Sequence, residues 1–194
     1  MKRQTLVEVV VLTALIVLGA QLRIFFQDLP NFAPVAALAL FAGYYFRSWV
    51  MAMCVPLGVM VLSDAFLGGY DWRMMAVVYG MLAAPVALRS PLRRYLDLNR
   101  GGFAHAIAAV SGLVACSLGA SLAFFFVTNF ATWLWTDMYS HSVAGLMACY
   151  TQALPFFRYT LAGDLSFAVV LFGTYGLASQ WGIVPGTATS TDAA

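Results

Sequence analysis

Asp64 and Asp164 are the side chains whose chemistry most needs an account. Each sits inside an apolar stretch, Asp64 in MCVPLGVMVLSDAFL and Asp164 in RYTLAGDLSFAVVLF. A lone carboxylate in hydrocarbon is costly, so each must be neutral, paired or facing water. Arg23 and Arg158 stand at similar depth and are the natural partners. A structural ion pair and a ligand-contacting acid both meet that requirement. Asn31, with Pro34, opens an apolar segment, where an amide either caps a helix or meets a ligand. Asn129, Trp133 and Tyr139 follow another such segment. Amides, carboxylates and aromatic rings gathered at one mouth would orient a small organic ligand that is flat or partly apolar. Trp72, Trp133, Trp135 and Tyr139 also have the composition of an interfacial aromatic belt. Asp71 and Asp137 read as solvated loop acids.

Catalytic signatures are missing: the sequence has no HExxH, no GxSxG and no phosphate loop. No enzyme activity, catalytic residue, cofactor or metal is expected. His105 and His141 fall on opposite predicted sides of a membrane and cannot form a metal pair. Cys54, Cys116 and Cys149 show no CxxC spacing and read as small apolar thiols. His141 or Cys149 could give a corrinoid its axial donor, but a surface histidine and a buried thiol are the plainer readings.

The elements that must hold these residues follow from composition. Of 194 residues, 62% are hydrophobic and 9% charged. Soluble domains carry roughly 25% charged residues, so lipid is the solvent that suits this chain. About six apolar segments of near-spanning length can be drawn. They run over about 5–24, 31–46, 48–66, 72–87, 103–127 and 155–177, the second and fourth being short. The fold class is therefore an all-α integral membrane protein, a compact bundle of about six transmembrane helices. Val143, Leu146, Met147, Tyr150 and Leu154 recur at helical spacing after Ser140 and Ser142, which predicts an outer interfacial helix between helices 5 and 6. Residues 1–180 form a single transmembrane domain, and 181–194 form a disordered tail rich in Gly, Thr, Ser and Ala. Met1-Lys2-Arg3 before an apolar run resembles a signal peptide. Glu8 interrupts the run and Leu18 is a poor fit three residues before a cut after Ala20, so a retained first helix is expected.

Loop charge sets the expected orientation. With the N-terminus in the cytoplasm, Lys2, Arg3, Arg47, Arg89, Arg93, Arg94 and Arg100 fall inside. Arg23, Arg73 and Arg158, with Asp28, Asp71 and Asp137, fall near the outer face. Both termini are then cytoplasmic. The net charge of +2 is too weak and scattered for nucleic-acid binding. No internal repeat is visible, unlike transporters built from inverted repeats. The unusual polar residues gather at the outer face, and the inner side holds mainly arginines.

The string Asn31-Phe-Ala-Pro-Val-Ala-Ala-Leu-Ala-Leu-Phe-Ala-Gly resembles the hallmark of an uncharacterised bacterial family of transport proteins. Ser63-Asp64, Tyr79, Thr128-Asn129-Phe130, Trp133, Tyr139, Gly145-Leu146, Cys149-Tyr150, Leu154-Pro155-Phe156-Phe157 and Gly163-Asp164 fit the same pattern, over about residues 5–178. That family is similar to the S components of energy-coupling factor (ECF) transporters, small membrane subunits that bind vitamins. The resemblance implies a helical bundle in the bacterial cytoplasmic (inner) membrane that binds a small organic, vitamin-like substrate at its outer face for uptake. It implies substrate-binding roles for Asn31, Asp64, Tyr79, Asn129, Trp133, Tyr139, Arg158 and Asp164. The implied partners are the lipid bilayer, the substrate, and an energising transmembrane subunit with ATPases. Two features depart from the pattern. Ala14 and Ala20 on the first helix lack the AxxxA spacing used for docking, and Ala39 and Gly43 on the second helix offer a small-xxx-small pair instead. Arg158 stands where a smaller polar residue is expected. The alternative function is a non-transporting membrane scaffold subunit, such as one like the rod-shape-determining membrane protein.

Overall fold

The computed structural model describes residues 2–29, 31–96 and 103–181. The tail beyond Trp181, Arg100, and the side chains of Lys2, Arg3 and His105 lie outside the described residues. Among the described residues the elements are all helical. They are α1 (Lys2–Phe25), α2 (Val35–Tyr45), α3 (Trp49–Leu67), α4 (Trp72–Ala83), a 3-10 turn (Ala84–Leu88), α5 (Arg89–Tyr95), α6 (Phe103–Trp135) and α7 (Val143–Gln180). Five segments are long and apolar enough to cross a membrane: Thr5–Phe25, Trp49–Leu67, Trp72–Arg94, Ile107–Trp135 and Val143–Gln180. The protein is an all-α, multi-pass membrane bundle.

The remaining apolar segment, α2, is the core of that bundle. Its residues from Val35 to Tyr44 are all buried, against α3, α4, α6, α7 and the 3-10 turn. Its 11 residues cover only about 16 Å, half of a hydrocarbon core of ~30 Å. Being apolar on every side suits a helix with no lipid-facing stripe. Phe41 and Tyr44 meet Phe172 and Tyr175 of α7 edge-to-face, with centroids 5.4–6.0 Å apart. Ala39 is fully buried, and a Cβ on Gly43 would lie 3.0 Å from the Val86 carbonyl oxygen. The small-residue pair that the sequence offers for close helix packing is therefore used inside the bundle, where Gly43 lets α2 approach the 3-10 turn.

The carbonyls at the C-terminal end of α2 lack helical partners, and arginines fill the gap. Arg93 donates from Nε to the Tyr44 carbonyl at 3.0 Å and from Nη2 to that of Phe46 at 2.6 Å. Arg89 Nη2 donates to the Arg47 carbonyl at 2.8 Å. These are two of the arginines that the sequence reading used only to set topology. Midway along their lengths α1 and α3 approach closely at Gly58, where a Cβ would sit 2.8 Å from Ile16 Cδ1.

Helices α6 and α7 have 33 and 38 residues, about 50 and 57 Å. Neither fits inside a single ~30 Å slab. The segment expected to form a separate interfacial helix is continuous with the last span, and α7 runs through Pro155 without a break. Proline removes one N–H and leaves the Thr151 carbonyl without its i+4 donor, a defect that neighbouring helices make tolerable in membrane proteins. The helical periodicity from Val143 was correctly legible; its end at a proline was not a real end.

Candidate functional site

Three polar clusters lie toward the end of the bundle where α1, α3 and α6 finish. In the first, Arg23 Nη1 donates to both Asp64 Oδ1 and Ser63 Oγ, and Tyr79 Oη donates to Asp64 Oδ2 at 2.6 Å. Ser63 Oγ in turn contacts the Val59 and Met60 carbonyls. Both carboxylate oxygens of Asp64 are thus occupied, by donors from α1 and α4. Arg23 is one of the two arginines that depth offered to Asp64 and Asp164, and Asp64 is the acid it holds. The cluster ties three helices together, with one donor on each carboxylate oxygen. Tyr70, in the α3–α4 turn, has its phenol pushed above the ordinary 10.0 by burial and by the Asp64 charge.

The second cluster surrounds a cavity of about 200 Å³. Its wall on α6 is Phe124, Phe125, Thr128, Asn129 and Thr132, and on α7 it is Ala153, Phe156, Phe157 and Thr160. Both sets recur at three- and four-residue spacing, which places each on one helical face. Val78 of α4 and Asn31 complete the lining. Asn31 does not cap α2: the residue before the helix is Pro34, with no side-chain cap. Asn31 instead takes φ +60°, a left-handed turn that asparagine tolerates better than most residues. The following residues then lie directly on α7, where a Cβ on Gly163 would come 3.3 Å from the Ala33 nitrogen. Phe32 is clamped there between Phe26 and Phe167, at centroid distances of 5.1 and 5.5 Å.

The polar side chains of α6 and α7 in this lining bond to their own helices. Thr128 Oγ1 donates to the Phe124 carbonyl at 2.7 Å, Thr132 Oγ1 to that of Thr128 at 2.9 Å, and Asn129 Nδ2 to that of Phe125 at 2.7 Å. Thr160 Oγ1 does the same toward Phe156 at 3.4 Å. Each hydroxyl hydrogen is spent on its own helix, which leaves the hydroxyl lone pairs, while the Asn129 amide keeps its second N–H and Asn31 adds another amide to the lining. The cavity therefore offers both acceptors and amide donors among aromatic faces, with no charged side chain in its lining.

The third cluster lies one turn further along both helices. Asp164 Oδ2 is 2.6 Å from Ser121 Oγ. Arg158, its expected partner, instead holds Tyr159, with Nη2 3.0 Å from the phenol oxygen and the guanidinium 4.7 Å from the ring centroid. Six residues apart on a helix of 3.6 residues per turn, Arg158 and Asp164 point roughly 120° apart. Similar depth was not enough to make them partners.

The α6–α7 turn gathers the remaining expected residues outside the cavity. Trp133 Nε1 donates to the Ser140 carbonyl at 2.9 Å, and its ring meets His141 at 5.7 Å. Tyr139 Oη donates to Gln152 Oε1 at 3.2 Å. Cys149 is buried, with Sγ 3.4 Å from the Asn129 carbonyl oxygen. Ser142 caps α7 by accepting from the Gly145 amide at 3.1 Å. Trp72, Arg73 and Trp135 line a shallow groove between α4 and α6. Of the expected binding residues, then, Asn31 and Asn129 share the cavity wall, Asp64 and Tyr79 share the tie, and Trp133 and Tyr139 brace the turn. Thr132, Thr160 and Ser121 were not singled out, and Thr128 stood only within the Thr128-Asn129-Phe130 motif, although its four-residue spacing to Thr132 was visible in the sequence.

Fold and site together define a helical, multi-pass membrane protein with an uncharged cavity of aromatic, hydroxyl and amide side chains near one end. Residues 3–184 match a family of unknown function, DUF6580, and the chain belongs to that family. No curated protein and no solved structure matches it.

Proposed function

We propose that the protein is a membrane transport protein of S-component type, which takes a small organic, vitamin-like molecule into the cavity at the outer face of a bacterial inner membrane. The observation that carries this reading is the cavity between α6, α7 and the turn at Asn31. It combines an aromatic wall with unspent acceptors from Asn129, Thr128, Thr132 and Thr160. Such a lining favours a flat ligand that carries both hydrogen-bond donors and acceptors. The volume is below the ~300–1,000 Å³ of drug-sized sites, which favours a small molecule over a corrinoid. Arginines clustered at the opposite end support the orientation. A partner transmembrane subunit with ATPases would drive release to the inside, since no phosphate loop occurs in the chain.

The test is mass spectrometry of small molecules released from gently purified protein, compared with Asn129→Ala and Asn31→Ala. The expected result is one defined compound released from the natural sequence and at least tenfold less from either variant at equal folded yield. Release of lipid alone from all three, with cell-wall elongation proteins co-purifying, would replace this reading with the scaffold function.

A further inference from the structure

Ser121 Oγ makes two contacts and has one hydrogen to give. It lies 2.6 Å from Asp164 Oδ2 and 3.0 Å from the Ser117 carbonyl oxygen, and a hydroxyl carries a single donor. Asp164 is 4% exposed, and among the described residues no basic side chain pairs with it. One turn further along the same face of α6, the Ser117 hydroxyl is fully buried and has no hydrogen-bond partner. A buried carboxylate without a counter-charge is expensive in a membrane, and a buried hydroxyl without a partner adds to the cost. This stretch of the bundle has oxygens to spare and lacks a cation.

We propose that Asp164, Ser121 and Ser117 form a binding site for a small monovalent cation, a proton or a sodium ion, between α6 and α7 beneath the cavity. Either ion supplies what the cluster lacks. A proton on the carboxylate is donated to Ser121 Oγ, which frees the Ser121 hydrogen for the Ser117 carbonyl. A sodium ion, hard and oxygen-seeking, takes the carboxylate and the hydroxyl oxygens as ligands.

The charged groups on the other elements packed against α6 are Arg73 of α4, which lies over Trp72, and Arg89, Arg93 and Arg94 of α5, of which Arg89 and Arg93 cap the end of α2; Tyr79 of α4 is bonded to Asp64. Helix α6 has no charged residue from 107 to 135, and its nearest titratable group is Cys116. Helix α2 brings Tyr44 and Tyr45 and no charge, and the α1–α2 connection brings Asp28. On α7 itself, Arg158 is turned away and held over Tyr159. The cation site also adjoins the cavity. Thr160 of the cavity wall is one turn from Asp164, and Phe125 is one turn from Ser121. A ligand that moves either helix face therefore changes the cation's seat. The proposal concerns Asp164 whether or not the cavity takes a vitamin-like ligand.

Infrared difference spectroscopy tests it, on the purified chain in lipid nanodiscs, in choline chloride against sodium chloride and across a pH series. Asp164→Asn and Ser121→Ala are measured alongside. A proton site gives a carboxylic-acid carbonyl band that disappears on raising the pH, ignores sodium and is lost in Asp164→Asn. A sodium site gives a shift of the carboxylate stretch on adding sodium, also lost in that variant. Ser121→Ala keeps the carboxylate and shifts whichever signal is present, so the assignment survives if Asp164→Asn does not fold. A spectrum with no response to pH or sodium that depends on Asp164 or Ser121 overturns the proposal.

Discussion

Removing Arg23 should expose how much the α1–α3–α4 tie contributes. In Arg23→Met, Asp64 keeps Tyr79 as its one side-chain donor while remaining buried. The side chains of Arg23 and Asp64 are 19% and 6% exposed, so water screens the pair only in part. Deleting one member of a buried pair costs about 3–5 kcal/mol. The partial exposure of Arg23 argues for the lower end, about 3 kcal/mol, or roughly a hundredfold shift in the folding equilibrium. The double variant Arg23→Met/Asp64→Leu removes the stranded charge as well. Ser63 keeps its contacts with Val59 and Met60, and Tyr79 loses one acceptor, a loss of roughly 1–2 kcal/mol. The double variant should therefore be more stable than Arg23→Met alone. Equilibrium unfolding by SDS in mixed micelles, read as a double-mutant cycle, gives the coupling directly. If the two single losses simply add, the cluster is not a structural tie. Asp64 would then return as a candidate ligand contact.

Other expectations follow from the close contacts. Gly163→Val should push the Phe32–Ala33 backbone off α7, costing about 1–3 kcal/mol and weakening ligand retention through Asn31; retained ligand at reduced stability would separate that turn from the cavity. Gly145→Ala should be severe, because the Ser140 carbonyl occupies the place of the new Cβ; thermal unfolding monitored by size-exclusion chromatography would show a large loss, and an unchanged Tm would mean that the α6–α7 turn yields freely. Tyr70 gives a pH effect with a definite sign. Its raised folded-state value means the unfolded phenol loses its proton first, so stability present below pH 10 declines as pH rises through the folded value. Tyr70→Phe should flatten that decline, and identical alkaline profiles would contradict the assignment.

Much of the architecture was legible because lipid imposes simple demands. Apolar segments of spanning length located α1, α3, α6 and the body of α7, and the short second segment marked α2. The fourth segment, also read as short, continues through the 3-10 turn and α5 as a stretch of spanning length, Trp72–Arg94. Depth was legible too, in that it set Arg23 and Arg158 level with the two acids without saying which pairs with which. Azimuth was the harder quantity. Arg158 and Asp164 share a depth, but their separation on one helix turns them to different faces, and that arithmetic was available from the sequence. The Ser121 contact needed the register of α6 against α7, which no local pattern supplies. Asn31 looked like a cap because asparagine before an apolar run usually is one. Its left-handed backbone depends on Gly163, 132 positions later in the chain (163 − 31), allowing close approach. The Ala39–Gly43 pair had the composition for close helix packing, and only the position of Val86 shows which element Gly43 packs against.

The arginine caps on α2 have a consequence for biogenesis. An 11-residue helix is too short to cross the bilayer, and its exposed carbonyl end has to wait for Arg89 and Arg93. At about 5–20 residues per second, the ribosome needs several seconds to go from Phe46 to Arg93. During that interval the nascent chain holds an unfinished helix end inside or beside the insertion machinery. A chain stalled before Arg89 should remain accessible at this point to an insertase or a quality-control protease. Release from that surveillance would coincide with the arrival of α5 and precede synthesis of the cavity.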